Sequence, residues 1–360
     1  MKILAKILAK LLAVAAGVAL VAAVALFLWA RAELERPYRG YSQAEQLFEV
    51  RPGAPATAIL TDLQASGIIS NAKLARLFLV ERMGDPPLHA GEYRFDRPLT
   101  IPQVLDRLVR GDVVLHPVTV VEGLTLEETA RHLADLGLGR EELFLERMRD
   151  PSPIADLDPE ANTLEGYLLP DTYSFARGTS EAEIVATLVR TFRRQFTAQV
   201  EPLMTGDEER ALRDLVSLAA IVEKEAMLDE ERPVIAGVYA NRLVRGIGLY
   251  ADPTVIYALK QAGTWDGNLR RDDLRFDSPY NTYVYPGLPP GPICSPGIAS
   301  LIAAARPTET SYLYFVSRND GSHVFAETLR EHNRNVERWQ RAYWRERWAR
   351  ERREAAESEG

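Results

Sequence analysis

The chain has 360 residues, of which 46% are hydrophobic and 26% charged, a balance that excludes a disordered chain and allows two or three domains. The formal net charge of −8 and a pI near 5.4 argue against nucleic acid as a partner. The single cysteine, Cys294, excludes an internal disulfide, and the five histidines show no zinc-ligand spacing. We therefore predict neither a structural metal nor a cofactor.

The N-terminus carries the clearest physical signal. Three lysines at positions 2, 6 and 10 precede the uncharged run LLAVAAGVALVAAVALFLWA, residues 11–30. This run has about the 20 apolar residues that a helix needs to span a bilayer, so it predicts a transmembrane helix. Basic residues stay on the cytoplasmic side, which makes residues 1–10 a cytoplasmic N-terminus and places the remainder outside the cytoplasm.

A cleaved signal peptide is the alternative reading of this segment. The triplet Ala30-Arg31-Ala32 resembles a small-x-small cleavage site. The apolar core of a signal peptide has only about 7–15 residues, however, and this run is longer. We therefore expect an uncleaved anchor that crosses the membrane once.

Residues 31–43 are polar and predict a linker, after which residues 44–115 predict a small α+β module. Its first half contains a strand, a turn at Pro52-Gly53, and a helix that carries Ile59, Leu60 and Leu63.

The pattern of this module returns seventy to eighty positions later. Gly53, Leu63 and Gly67 have counterparts in Gly123, Leu133 and Gly137. A second correspondence links GEYRFDRPLTIPQVLDRLVRG to DTYSFARGTSEAEIVATLVR, where Tyr93 and Phe95 match Tyr173 and Phe175, and Val104, Leu105 and Leu108 match Ile184, Val185 and Leu188. Two copies cannot form a solenoid, so we expect two small α+β modules, of which the second is split by an insertion.

Residues 116–340 predict a larger, split α+β domain that contains the second copy. From about Thr179 its apolar spacing is helical, and a buried helix is expected at 212–227, followed by a helix that ends at Gly246. The pair Asp252-Pro253 predicts the start of another helix, with Asp252 as its N-cap.

A long loop rich in Pro, Gly and Tyr follows at 278–297, and long irregular loops are usually functional or disordered. Its tyrosines indicate order. The segments YLYFVSR and HVFAET then predict a β-hairpin around 319–321. Residues 341–360 form a charged C-terminal tail, which we interpret as a solvated helix.

The predicted buried helix contains two acids, Glu223 and Glu225, directly after an apolar run. At 100° per residue, Glu223 shares a face with Ala219 and Ala220, whereas Glu225 points about 200° away. Small neighbours leave room for a ligand, and an apolar environment keeps a carboxylic acid protonated so that it can donate to a glycosidic oxygen. The alternative is that both acids form ion pairs with arginines such as Arg232 and Arg242.

Other polar residues in apolar or aromatic stretches are candidates for lining a carbohydrate groove. Each also has an ordinary explanation, because aromatic loop residues often only pack and acids often cap helices or turns. The candidates are Glu165, Tyr167, Glu225, Asp252, Tyr280, Asn281, Thr282 and Tyr283.

Six motifs together resemble one family. LEGYLLPDTY, IVEKEA, VYANRL, ADPTVIYAL, PYNTYVYPGLPPGPICSPG and YLYFV occur in the order seen in the endolytic murein transglycosylases, the MltG or YceG-like proteins. The resemblance covers nearly all of the chain after the apolar segment. It is looser in the N-terminal module, which resembles the LysM-like domain of that family.

The resemblance implies a single-pass inner-membrane enzyme with a periplasmic catalytic domain, which cuts nascent peptidoglycan strands. It implies Glu223 as the catalytic residue and suggests an association with peptidoglycan synthases. A lytic transglycosylase needs one acid/base, which protonates the leaving oxygen and then deprotonates the C6 hydroxyl of N-acetylmuramic acid to close a 1,6-anhydro ring. The alternatives are a muramidase, which would need a second carboxylate such as Asp252, Glu165 or Glu225, and a peptidoglycan-binding scaffold without activity.

Overall fold

The computed structural model describes residues 2–204, 211–345 and 347–348, and these residues form two compact units. The described residues of 1–116, together with 174–178, make up the first unit. Those of 117–173 and 179–360 make up the second. Both units combine helices with short two-stranded sheets, as the sequence predicts for a mixed α+β protein.

The bounds of the main elements are as follows. The helices are α1 Lys2–Glu35, α2 Ala56–Ala65, α3 Ala72–Met83, α4 Ile101–Arg110, α5 Leu126–Asp135, α6 Glu141–Met148, α7 Glu181–Gln195, α8 Leu212–Glu225, α9 Arg232–Val244, α10 Asp252–Gln261, α11 Ile298–Ala305 and α12 Leu329–Val336. The strands are β1 Gln46–Val50, β2 Gly91–Phe95, β3 Leu115–Val120, β4 Asp171–Ala176, β5 Tyr314–Ser317 and β6 His323–Ala326. Short 3-10 turns lie at Ser152–Ile154, Glu201–Leu203, Asp229–Glu231 and Asp273–Arg275, and π-helical turns at Phe196–Val200 and Glu337–Ala342.

Helix α1 contains the whole predicted apolar segment and is long and apolar enough to cross a membrane. It continues five residues further than that segment, so its last turn, 31–35, occupies the start of the predicted linker. Near its C-terminus, Ala30 and Leu34 pack against the hydrophobic core of the first unit. The end of the apolar helix is therefore part of that unit.

The internal repeat predicted from the sequence is present as two series of elements in the same order. The first is β1-α2-α3-β2-α4 and the second is β3-α5-α6-β4-α7. In the first series β1 pairs antiparallel with β2, from Gln46 opposite Phe95 to Val50 opposite Gly91. In the second series β3 pairs with β4. The insertion that splits the second copy, 149–170, contains a single 3-10 turn and otherwise irregular backbone.

The matched apolar residues occupy equivalent core positions in the two copies. Leu63 and Leu133 are both fully buried on the first helix of their copy. On the last helix, Val104, Leu105 and Leu108 are buried, as are Ile184, Val185 and Leu188. The 3.6-residue spacing of the apolar side chains thus predicted the buried faces correctly.

Helix α8 forms the centre of the second unit. Eight consecutive residues, Leu215–Val222, are buried, and the helix packs against α9, α10 and α11. It ends at Glu225, two residues before the predicted end at Met227, which is 76% exposed. The β-hairpin predicted around 319–321 is present, with β5 antiparallel to β6.

The start of α10 and the C-terminal tail differ in part from the sequence predictions. Asp252 was predicted as the N-cap of α10, but the N-cap is Ala251, and Asp252 is the first helical residue. In the predicted charged tail, 341–345 and 347–348 are helical or π-helical. The remainder of that tail, residue 346 and residues 349–360, lies outside the described residues.

The glycines that follow α2 and α5 have similar backbone conformations but differ in how closely another segment of backbone approaches them. Gly67 and Gly137 both have positive φ, 71° and 75°. A Cβ on Gly67 would lie 2.8 Å from the carbonyl carbon of Gly40, whereas a Cβ on Gly137 would meet open space. Gly67→Ala and Gly137→Ala share the cost of left-handed backbone, about 1–2 kcal/mol, but only the first also forces two backbones apart.

We expect Gly67→Ala to lower the melting temperature of the full-length protein clearly more than Gly137→Ala. Thermal unfolding in detergent, followed by circular dichroism, measures both variants. Equal losses would show that Gly40 moves away without cost.

Candidate active site

Helix α8 ends with Glu223 and Glu225, and their side chains point to different surroundings, as the helical spacing predicts. Glu223 faces the starts of α9 and α11, where its partners are Arg232 and Ser300. Glu225 faces Tyr239, in the middle of α9. The two carboxylates, one residue apart, therefore have separate environments.

Glu223 lies in a buried network of charged and polar groups. Its Oε1 accepts a hydrogen bond from Arg232 Nη1 at 3.0 Å. Its Oε2 accepts from the Gly297 backbone N–H at 3.0 Å and from Ser300 Oγ at 2.8 Å. The side chains of Glu223 and Arg232 are only 7% and 9% exposed. The apolar environment expected for Glu223 is not found, and the arginine pairing that we considered as its alternative is present.

Arg232 also contacts other acids, so the ion pair is part of a larger cluster. Its Nε donates to Asp229 at 3.1 Å, and its Nη2 lies 3.8 Å from Glu122. Burial and the nearby charge of Glu223 raise the pKa of Glu122, while Arg232 opposes the rise.

A surface groove of about 490 Å³ opens next to Glu122. Its other lining residues include Thr119, Asp171, Thr172, Gln195 and Gln199.

Glu225 has the properties expected of a general acid. Its Oε1 accepts a hydrogen bond from Tyr239 at 2.9 Å, and the residue is only partly buried. Burial raises the pKa of Glu225 to about 7, and the charge of Asp252 adds to the rise, while Tyr239 and Arg242 oppose it. A carboxyl with a pKa near 7 is protonated in a large fraction of molecules at neutral pH and can donate that proton.

Asp252 and Tyr283 lie close to Glu225 and to each other. Tyr283 donates a hydrogen bond to Asp252 Oδ1 at 2.6 Å. Burial and this bond raise the pKa of Tyr283, and the charge of Glu225 contributes as well. Asp252 itself is exposed at the first turn of α10, so its carboxylate faces solvent instead of capping the helix. Three of the predicted site residues are thus brought together here.

Two other predicted site residues fix the long loop from inside. Asn281 is fully buried, and its Nδ2 donates to the carbonyls of Leu274 and Phe276. Thr282 is 1% exposed, and its Oγ1 accepts from the Ala251 backbone N–H at 3.0 Å. Neither side chain has exposed surface, so the two residues hold Tyr283 and the start of α10 in place, and their role in lining a sugar groove stays a prediction.

The remaining candidates have partners other than Glu225, Asp252 and Tyr283. Glu165 is 6% exposed and accepts hydrogen bonds from the Leu126 backbone and from Tyr257, and burial raises its pKa to about 8. The ring of Tyr280 packs 4.9 Å from that of Tyr257. Tyr167 is 1% exposed and donates to Asp158 at 2.6 Å. Glu165 and Tyr167 are thus buried and hydrogen-bonded within the protein, and their role in lining a sugar groove stays a prediction.

Two residues of this site were not singled out as functional from the sequence. Tyr239 and Ser300 each donate to one of the two acids, but both sit inside apolar helical stretches, where tyrosine and serine are ordinary core residues. Only the packing of α9 and α11 against the end of α8 identifies them as partners.

Comparison with known proteins gives consistent results. A sequence model described as the YceG-like family matches residues 48–338. The chain is 30% identical over 330 residues to a Bacillus subtilis protein named endolytic murein transglycosylase. The aligned region covers 87% of this chain and 89% of that protein. It is 28% identical over 314 residues to the protein of the same name from Streptococcus pneumoniae D39, with 79% of this chain and 56% of the relative covered.

A solved structure is similar as well. The crystal structure of a YceG-like protein from Listeria monocytogenes shares 33% sequence identity with this chain and superposes with a TM-score of 0.54. The similarity covers 81% of this chain and 99% of that one.

The Arg232–Glu223 pair generates a prediction about stability. Arg232→Met leaves the buried carboxylate of Glu223 without its counter-charge, and such changes cost about 3–5 kcal/mol. The double variant Arg232→Met, Glu223→Gln should recover most of this loss, because no buried charge is left unpaired. Chemical denaturation gives the free energy of unfolding of the full-length wild type and of both variants.

The exposed pair Arg190–Glu183 is the control, since both side chains are more than half exposed. Arg190→Met should cost at most about 1 kcal/mol. If Arg232→Met were no more harmful than Arg190→Met, the ion pair would not hold the end of α8.

Proposed function

The chain belongs to the YceG-like family, and on this basis we propose that it is an endolytic murein transglycosylase whose acid/base is Glu225. The enzyme cleaves the bond between N-acetylmuramic acid and N-acetylglucosamine within nascent glycan strands. It is a carbon–oxygen lyase, because the product carries a 1,6-anhydro ring and no water is added. The family assignment and the curated relatives named endolytic murein transglycosylase support this activity.

In this reaction one carboxyl group acts first as the general acid and then as the general base. The protonated Glu225 donates its proton to the glycosidic oxygen, and the bond to C1 of N-acetylmuramic acid breaks. The resulting carboxylate then removes the proton from the C6 hydroxyl of the same sugar, and that oxygen attacks C1. The proton returns to Glu225, so the cycle needs neither a metal nor a second nucleophile.

One observation carries the choice of Glu225: its carboxyl is held by a single neutral hydroxyl, and burial raises its pKa to about 7. Tyr239 holds Oε1, and no other donor among the described residues contacts Oε2, which is left for the substrate. Glu223 differs, because both of its oxygens accept hydrogen bonds and one of them is paired with the guanidinium of Arg232. Glu223, the assignment implied by the sequence resemblance, remains the alternative, and the same experiment tests it.

Asp252 supports the chemistry by its charge. Its carboxylate contributes to the raised pKa of Glu225 and is positioned by the hydroxyl of Tyr283. A negative charge also favours the oxocarbenium character that develops at C1 in the transition state. The same carboxylate is the candidate second acid of a muramidase, which is why the product ends must be identified.

The first unit suits a glycan-binding role in the same reaction. We propose that its β1-α2-α3-β2 arrangement is a LysM-like module that binds the glycan strand. Helix α1 is an uncleaved anchor in the inner membrane, and its N-terminal lysines favour a cytoplasmic N-terminus and a periplasmic catalytic domain. A location at the outer face of that membrane also suits association with peptidoglycan synthases.

The central prediction compares the two acids of α8. Glu225→Gln should lower the rate of cleavage by about 10²–10⁴-fold, because it removes the proton donor. Glu223→Gln should keep most of the activity when assayed well below its melting temperature. Full-length protein in detergent is incubated with uncrosslinked glycan strands, and mass spectrometry identifies the product ends.

Three other outcomes of this assay would favour Glu223 as the acid/base, a muramidase, or a scaffold. A folded Glu223→Gln protein without activity, together with an active Glu225→Gln protein, would return the proton transfer to Glu223. Reducing ends instead of anhydro ends would make the protein a muramidase. Strands that the wild-type protein binds but does not shorten would favour the scaffold.

The pH dependence of cleavage tests the environment of Glu225. The rate constant kcat/KM should fall as the pH rises through about 7, because Glu225 loses the proton that it must donate. Asp252→Asn removes a charge that raises the pKa of Glu225, so the fall should move to lower pH. Asp266→Asn, at an exposed ion pair with Arg270, is the control and should leave the profile unchanged. Coincident profiles for all three proteins would contradict the role of Asp252.

A further inference from the structure

Tyr250 has an unusual backbone conformation two residues before the start of α10. Its φ is 48°, and among the described residues only Asp85 and Asn319 are other non-glycine residues with positive φ. Asp and Asn tolerate this left-handed region, but a tyrosine does so at a cost because its Cβ approaches the backbone.

The backbone on both sides of Tyr250 is held firmly. The carbonyl of Leu249 accepts a hydrogen bond from Arg242 Nη1 at 2.6 Å, and the backbone N–H of Ala251 donates to Thr282 Oγ1 at 3.0 Å. Leu249 and Ala251 are both fully buried. The chain between these two fixed points must therefore turn sharply at Tyr250.

The turn alone does not explain why the residue is a tyrosine. Glycine or asparagine would adopt the same backbone with less strain. Strained conformations that persist are concentrated at functional sites, so the side chain is the feature to explain. Tyr250 is also 51% exposed, so much of its ring faces solvent beside Tyr283.

The orientation of the exposed ring is nevertheless fixed by its neighbours. Its centroid lies 5.4 Å from that of Tyr283, with the two rings tilted by 52°. Gly248 lies against the ring so closely that a Cβ there would come within 2.8 Å of two ring carbons. A ring that is fixed on one side and open on the other is preorganised to stack on a flat ligand.

Its neighbour Tyr283 connects Tyr250 to the acid/base site. The hydroxyl of Tyr283 holds Asp252, and the charges of Asp252 and Glu225 both act on Tyr283. The exposed ring of Tyr250 therefore lies beside the group of side chains at which the glycosidic bond is proposed to break.

We propose that Tyr250 is a stacking platform for one pyranose ring of the glycan strand, at a subsite next to Glu225. The apolar face of a pyranose presents C–H groups, which match the negative face of an aromatic ring. Tyr250 contributes to substrate affinity and takes no part in proton transfer. This inference rests on the proposed function, because Glu225 defines the neighbouring point of cleavage.

Tyr250→Asn and Tyr250→Phe test the proposal, because asparagine keeps the left-handed backbone and phenylalanine keeps the ring. We expect Tyr250→Asn to raise KM for uncrosslinked glycan strands about tenfold, equivalent to about 1.4 kcal/mol, with little change in kcat. Its melting temperature should be unchanged or higher, since strain is removed. Tyr250→Phe should resemble the wild type. Leu136→Ala, at the half-exposed residue that follows the end of α5, controls for loss of exposed apolar surface.

Direct binding separates this proposal from the proposed function. Calorimetric titration of Glu225→Gln and of Glu225→Gln, Tyr250→Asn with the same glycan strands should show a Kd about tenfold higher for the double variant. Equal Kd values, or a loss of kcat without a change in KM, would overturn the role of Tyr250. Full activity of Glu225→Gln would overturn the acid/base assignment alone, and the Kd comparison would still decide the role of Tyr250.

Discussion

The buried ion pair between Glu223 and Arg232 is the interaction on which the rest of the site depends. It joins the last turn of α8 to the first residue of α9, and Ser300 and the Gly297 N–H extend the network to the start of α11. A charged pair with so little exposed surface is tolerated only because its hydrogen bonds are satisfied. By fixing the end of α8 among three helices, it also determines where Glu225, two residues later, must point.

The contrast between the two acids shows how position controls carboxylate chemistry. Glu223 and Glu225 are both close to an arginine, but only Glu223 bonds to one. Glu225 receives a single neutral hydroxyl from Tyr239, together with burial and the charge of Asp252, and these conditions favour its protonated form. The same helix therefore carries one acid suited to holding structure and one suited to donating a proton. Tyr250 adds an open aromatic face beside the second acid, at the expense of a strained backbone.

Much of the fold could be predicted because it depends on local patterns. The apolar run at 11–30, the repeated glycines and the spacing of Leu63 and Leu133 each reflect a rule that acts over a few residues. The errors occur where a local rule competes with a tertiary contact. Asp252 has the sequence context of an N-cap, yet its carboxylate interacts with Tyr283 across the loop instead. Asn281 and Thr282, predicted to line a groove, hydrogen-bond to backbone groups: Asn281 to Phe276 nearby in the chain, and Thr282 to Ala251 before α10.

The sequence by itself determined the long apolar N-terminal helix, the internal repeat, the family resemblance and the presence of two differently directed acids on one buried helix. These follow from composition, periodicity and motif order, which are properties of the chain alone. Only the tertiary structure decided which acid is paired and which is available, because Arg232, Ser300 and Tyr239 reach α8 from other helices. Burial and the charges of distant residues set the protonation of a carboxyl, and neither can be read from its neighbours along the chain.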